Sequence, residues 1–179
     1  MGMGLMGTCR FYHLYNGLWI FPMIRPTTRE ETDLLVTLAE ETGVFKPHEV
    51  VALREVLDEY HESNRNYGHR AVTYEEHGKP IGFVYFAPAA MTDRTWYLYW
   101  IAVSKKIQAK GTGSKMLKYV EDEVRKAHGR VLFIETSSLP HYDLTRKFYV
   151  KQGYETAATL KDYYSDGDHM VVFRKRMSG

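Results

Sequence analysis

From Met23 onward the apolar positions change their spacing twice, and each change marks a new kind of element. Met23, Ile24, Arg25 and Pro26 read as a short strand, and Thr28-Arg29-Glu30-Glu31 has the form of a helix-start capping box. Leu34, Leu35 and Leu38 then fall on one helical face, and a turn at Gly43 leads to a second helix. Pro47 suits a first-turn position there, and Val50, Leu53, Leu57 and Tyr60 recur at helical spacing. From Arg70 the spacing becomes that of strands. Residues 71–75 and 81–86 flank a turn at His77-Gly78-Lys79 and predict a hairpin. Residues 96–103 are almost wholly apolar or aromatic, the pattern of a strand covered on both faces. Helical spacing returns over residues 114–128, with Met116, Leu117, Val120, Val124 and Ala127 on one face and Gly129 just past the end. Residues 131–135 form the next strand, and two consecutive strands joined by a helix predict a parallel βαβ crossover. A shorter helix over residues 145–152, closed by Gly153, precedes strands over 155–160 and 170–176 with a turn at Asp166-Gly167.

Composition narrows the class. The 179 residues, 44% hydrophobic and 14% aromatic, suffice for one domain with a sizeable core, expected over residues 23–179. A formal charge of +2, with lysines and arginines spread along the chain, does not suggest nucleic acid as the main partner. The single cysteine, Cys9, allows no internal disulfide framework and no cysteine pair for zinc, so no metal is expected and a reducing, cytoplasmic setting is. Residues 1–22 are apolar and aromatic but lack the basic start of a signal peptide. They read as an N-terminal extension, poorly ordered or packed as an arm on another chain, which leaves a homodimer open. No later stretch is long and apolar enough to span a bilayer.

The chemistry concentrates where a strand runs into a helix. Ile101-Ala102-Val103 is followed by Gln108-Ala109-Lys110-Gly111-Thr112-Gly113 and then directly by the helix beginning near Ser114. Two glycines let the backbone approach a ligand closely, and the unpaired amides and positive end of a helix attract phosphate. This is a cradle for a pyrophosphate. A nucleoside-triphosphate P-loop is excluded because Gly113 is followed by Ser114-Lys115 and the four-residue spacer between glycines is absent. A dinucleotide fingerprint is excluded because Met116 stands where its third glycine belongs.

Gln108-x-x-Gly111-x-Gly113 after Ile101-Ala102-Val103 resembles the acetyl-CoA motif of the GNAT superfamily of N-acetyltransferases. Thr145-x-x-Phe148-Tyr149-x-x-x-Gly153-Tyr154 is similar to that superfamily's short C-terminal helix and the step into its next strand. In element order the resemblance covers residues 23–176. It implies a mixed α/β fold, a twisted and mostly antiparallel sheet flanked by helices. In it, a central parallel pair of strands, near Ile101 and Ile134, splays apart to admit the pantetheine arm. The chain departs from the family in carrying Tyr142 and Thr145 where Asn and Ala are frequent, so the asparagine contact to the cofactor is missing and Thr145 offers a hydroxyl.

The implied reaction moves an acetyl group from acetyl-CoA to a primary amine of a small molecule by direct attack. The acceptor amine, with a pKa of about 10.4, must first lose a proton. Glu135, ending its strand, is the candidate base, with a water chain as the other route. By resemblance, backbone donors around Ile101 to Val103 meet the oxyanion and Tyr149 is the acid for the leaving thiolate. The expected cofactor residues are Ile101, Ala102, Val103, Gln108, Ala109, Lys110, Gly111, Thr112, Gly113, Ser114, Thr145 and Phe148. Those expected at the acceptor are Phe45, Tyr97, Tyr99 and Tyr164, with His48 and Tyr163 nearby and Asp166 and Asp168 at the rim. A protein or peptide amine as acceptor, and an acetyl-CoA sensor without turnover, are the competing readings.

Overall fold

The computed structural model describes residues 14–15, 18–19, 22–107 and 111–177. A short antiparallel pairing of β1 (Leu14–Tyr15) with β2 (Leu18–Trp19) lies within the N-terminal extension. The domain then runs β3 (Met23–Pro26), α1 (Thr32–Thr42), α2 (Pro47–Glu62), β4 (Arg70–Glu76), β5 (Lys79–Pro88) and β6 (Thr95–Val103). It continues with α3 (Thr112–Lys126), β7 (Val131–Ser137), α4 (Asp143–Lys151), β8 (Glu155–Ser165) and β9 (Asp168–Arg176). Seven strands form one sheet in the order β3-β4-β5-β6-β7-β9-β8. Every pairing in it is antiparallel except β6 with β7, the pair that α3 connects. This is the mixed, mostly antiparallel α/β architecture with a central parallel pair that the sequence predicts.

Alternation along the central strands divides the core into two layers. Phe83 and Tyr85 of β5 point to α1 and α2, where they meet Leu35, Ala39, Leu53 and Leu57. Val84 and Phe86 point to the opposite face, against Met116, Leu117 and Val120 of α3 and Phe173 of β9. Arg25 ties the start of the domain together. Its guanidinium lies 2.6 Å from both Glu31 and Glu75, and the Glu31 carboxylate also accepts the Thr28 N–H at 2.9 Å, as the capping signal requires.

Three local expectations need correction. Leu34 is exposed, because the buried stripe of α1 is Leu35, Val36, Leu38, Ala39 and Thr42. Strand β6 is not covered on both faces, since Tyr99 is 53% exposed and lines a cavity. At the end of α3 the left-handed residue is His128, at φ 57°, and not Gly129. Gly129 is small for a steric reason: a Cβ there would sit 2.3 Å from Val124 Cγ1 and 2.8 Å from the Trp96 ring.

Candidate active site

The site begins as a defect in the sheet. Strands β6 and β7 pair from Thr95 with Val131 to Leu98 with Ile134, and the pairing stops there. At the same point β6 bulges. Tyr85 of β5 pairs with Trp100 and Phe86 with Leu98, leaving Tyr99 as an extra residue. The inserted residue also flips the alternation. Trp96, Leu98, Ile101 and Val103 therefore share the α3 face, while Trp100 and Ala102 pack toward α1 and α2. Beyond the bulge the two strands part, and a cavity of about 750 Å³ opens between them.

One end of the cavity is the start of α3. Gly111 caps the helix with φ 77°, a backbone conformation that L side chains rarely adopt, and a Cβ there would project into open space. The first internal hydrogen bond of the helix runs from Lys115 N–H to the Gly111 carbonyl at 3.1 Å, so the amides of Thr112, Gly113 and Ser114 precede the ladder. Gly111 through Ser114 line the cavity, and Gln152 donates to the Ser114 hydroxyl at 3.0 Å, tying this end to the end of α4. Gly113 has no left-handed backbone. A Cβ on it would lie 3.6 Å from Phe148, an ordinary van der Waals contact, so the packing of α3 on α4 does not itself require glycine there. These features suit a pyrophosphate-bearing cofactor.

In mid-cavity stands Tyr149, buried by Phe148, Tyr154 and Phe173, whose ring centroids lie 5.3, 6.0 and 5.6 Å away. Its hydroxyl has no hydrogen-bond partner among the described residues, and burial pushes the phenol well above its ordinary range. It is a protonated donor at neutral pH. Across the cavity is Glu135, one residue past the last β6–β7 pair. Its carboxylate has no ion-pair partner among the described residues, and desolvation raises it above the usual glutamate range.

The remaining wall is aromatic. Phe133 stacks on Tyr97 at 5.5 Å and Tyr97 on Tyr99 at 5.7 Å, a shelf that ends at Glu135. Phe45 sits 5.2 Å from Trp100 below α2. Tyr164, from the end of β8, faces this region, with its phenol pushed up to about 12 by burial and then by the charge of Glu135.

The structure thus brings Ile101, Ala102, Val103, Gly111, Thr112, Gly113, Ser114, Thr145, Phe148, Tyr149, Glu135, Phe45, His48, Tyr97, Tyr99 and Tyr164 to one cavity. Gln108, Ala109 and Lys110 lie outside the described residues. Lys115 is exposed, and Tyr163, 57% exposed, is not on the wall. Asp168 is not a rim charge but a buried one. Burial works to raise its pKa, yet the Lys46 ammonium at 2.8 Å and the Ser137 hydroxyl hold it below the ordinary range. Among the wall residues the sequence reading did not place at the site, Glu49 and Tyr142 bear on its chemistry. Glu49 accepts the Lys46 backbone N–H at 2.6 Å and the Tyr142 hydroxyl at 3.3 Å. Tyr142 was legible only as a departure from the expected asparagine. Among the described residues no group of three or more His, Cys, Asp or Glu is placed to hold a metal, and no helix is long and apolar enough to cross a membrane.

Comparison with known proteins agrees with this geometry. Residues 33–154 match the model of the acetyltransferase (GNAT) family. An uncharacterized N-acetyltransferase of Methanocaldococcus jannaschii is 26% identical over 102 residues, 55% of this chain and 61% of that protein, so the match spans less than two thirds of that relative. A solved GNAT-family structure from Desulfovibrio desulfuricans is 32% identical, with a TM-score of 0.84 over 88% of this chain and 100% of that one. An aminoglycoside 6'-N-acetyltransferase solved with coenzyme A shares the fold, with a TM-score of 0.71, 19% identity, and coverage of 88% of this chain and 98% of that one.

Proposed function

The chain belongs to the acetyltransferase (GNAT) family of acetyl-CoA-dependent acyltransferases, and on that premise we propose that it acetylates the primary amine of a small molecule by direct attack in a ternary complex. One observation carries the reading. A carboxylate without a counter-ion and a phenol without a hydrogen-bond partner share a single cavity, which ends at a helix start suited to pyrophosphate. When bound, acetyl-CoA supplies a thioester whose carbonyl carbon a neutral amine can attack.

The protein's own groups then divide the work. Amides at the start of α3, with Gly111 allowing close approach, hold the pyrophosphate by charge and hydrogen bonding. Thr145 and Phe148 flank the path inward. Glu135 takes the proton from the acceptor ammonium, and its raised pKa brings it closer to the amine's than an ordinary glutamate would be. Backbone N–H groups of the diverging β6 edge serve the developing oxyanion. As the nitrogen–carbon bond forms and the carbon–sulfur bond breaks, Tyr149 gives its proton to the sulfur. The acylated nitrogen loses its second proton to solvent as the amide forms, Glu135 returns its proton to solvent, and Tyr149 is reprotonated from solvent.

The acceptor end is lined by Phe45, His48, Tyr142 and Tyr164, and a cavity of about 750 Å³ is of a size that supports a small-molecule acceptor. The lone cysteine supports a cytoplasmic setting, and the match over residues 33–154 with one continuous sheet supports a single domain after the extension. The test is thiol release from acetyl-CoA over a panel of polyamines, amino acids, aminoglycosides and peptides. We expect release that depends on at least one small amine. Turnover with peptides alone contradicts the small-molecule acceptor, and release that no amine stimulates contradicts amine acetylation.

A further inference from the structure

The walls of the cavity carry an unbalanced charge. Among the described residues lining it, Glu49 and Glu135 are the only Asp, Glu, Lys or Arg side chains, and neither makes a salt bridge. Lys46, close to Glu49 in sequence, pairs with Asp168 at 2.8 Å, and its ammonium lies 5.9 Å from the centroid of the Tyr164 ring, leaving Tyr97 and Tyr99 without such a cation among the described residues. The donors to Glu49 are neutral, a backbone amide at 2.6 Å and the Tyr142 phenol at 3.3 Å. Both carboxylates act on one ring: after burial, Glu135 and then Glu49 are among the charges that raise the Tyr164 phenol. Besides them, the groups on this wall able to take positive charge are His48 and His141.

Resting on the reading of the cavity as an amine acetylation site, we propose that the acceptor is a linear polyamine, with its reacting amine at Glu135 and a second ammonium at Glu49. Two carboxylates without an ion-pair partner facing one cavity repel each other, and a dication offsets both where a monoamine leaves one unmatched. In the same cavity, Tyr97 and Tyr99 beside Glu135 and Tyr164 beside both carboxylates present rings to an alkyl chain and to ammonium groups, which aromatic faces attract. An acceptor with its own carboxylate or phosphate, such as an amino acid, meets two like charges on the described walls and no lysine or arginine to pair with. An aminoglycoside is also polycationic, but its rigid rings offer no alkyl chain to lie along Tyr97, Tyr99 and Tyr164.

The experiment compares kcat/KM for thiol release with cadaverine, spermidine, pentylamine, L-lysine and kanamycin, in the wild-type chain and in Glu49→Gln. Glutamine keeps an oxygen to accept the Lys46 amide, and a melting curve of the variant checks that the helix start survives. We expect the two polyamines to exceed pentylamine and lysine by about 5-fold, the upper end of what a partly exposed ion pair supplies. In Glu49→Gln the cadaverine-to-pentylamine ratio falls toward one, through KM more than kcat. Equal kcat/KM for cadaverine and pentylamine, a preference for lysine or kanamycin, or an unchanged ratio in a folded Glu49→Gln overturns the polyamine assignment while leaving amine acetylation in place. No thiol release with any of these amines, from protein that acetyl-CoA still stabilises against heat, overturns both.

Discussion

Tyr149 is the residue whose chemistry separates most cleanly from its packing. Its ring is held by Phe148, Tyr154 and Phe173 while its hydroxyl bonds to none of the described residues, so Tyr149→Phe removes a proton donor and no structural hydrogen bond. We expect kcat to fall toward the low end of the range for general acid catalysis, about 100-fold, because a thiolate leaves more readily than an alkoxide. Melting temperature and acetyl-CoA affinity should hardly move. Wild-type turnover, with single-turnover kinetics showing chemistry to be slow, removes Tyr149 as the acid. Glu135 gives a pH signature. Desolvation raises its folded pKa, so the folded chain holds that proton more tightly than the unfolded one, and its contribution to stability falls as pH rises through the raised value. Glu135→Gln should therefore gain in melting temperature relative to wild type as pH rises above the ordinary glutamate range, and should lose the acid limb of kcat/KM. A variant that keeps that limb rules out Glu135 as the base. Both residues were legible because each stands at a recognisable place, a strand end and a patterned short helix. Glu49 and Tyr142 were not, since they meet across 93 positions of sequence and no local spacing links them. Asp168 was misread for the same reason: the Lys46 that neutralises it is 122 positions away.

Among the elements, β6 decides where the cavity lies. Its bulge at Tyr99 was invisible in the sequence because Trp96-Tyr97-Leu98-Tyr99-Trp100-Ile101 is apolar or aromatic throughout, and a strand without alternation hides a one-residue slip. The helix periods were legible because α2 and α3 each bury one stripe, with Leu53, Leu57 and Tyr60 in the first and Met116, Leu117, Val120 and Val124 in the second. The glycine after α3 shows where a pattern rule names the right residue for the wrong reason. Gly129 lets the chain pass between Val124 and Trp96, so Gly129→Ala should destabilise by about 1–3 kcal/mol through overpacking. The check is a lower urea midpoint with an unchanged slope. Stability equal to wild type means that Trp96 can move aside at no cost.

At the scale of the whole molecule, the order of elements was legible from Met23 to Arg176, and so was the parallel crossover, because helix and strand periods alternate clearly and few topologies satisfy them. What stayed hidden was the assembly of one cavity from α2, β6, β7, α3, α4 and the end of β8, which only the folded chain brings together. The sheet parts at β6 and β7, a helix start suited to pyrophosphate closes one end, and an acidic aromatic pocket closes the other. The proposed function requires group transfer between ligands held at those two ends. Mass balance in the amine panel tests it most directly, by quantifying N-acetylated amine against free CoA in the same reaction by mass spectrometry. One acetylated amine is expected for each CoA released, with both products lost together in Tyr149→Phe and Glu135→Gln. CoA released without acetylated amine, or at the same rate with and without an acceptor, would contradict it.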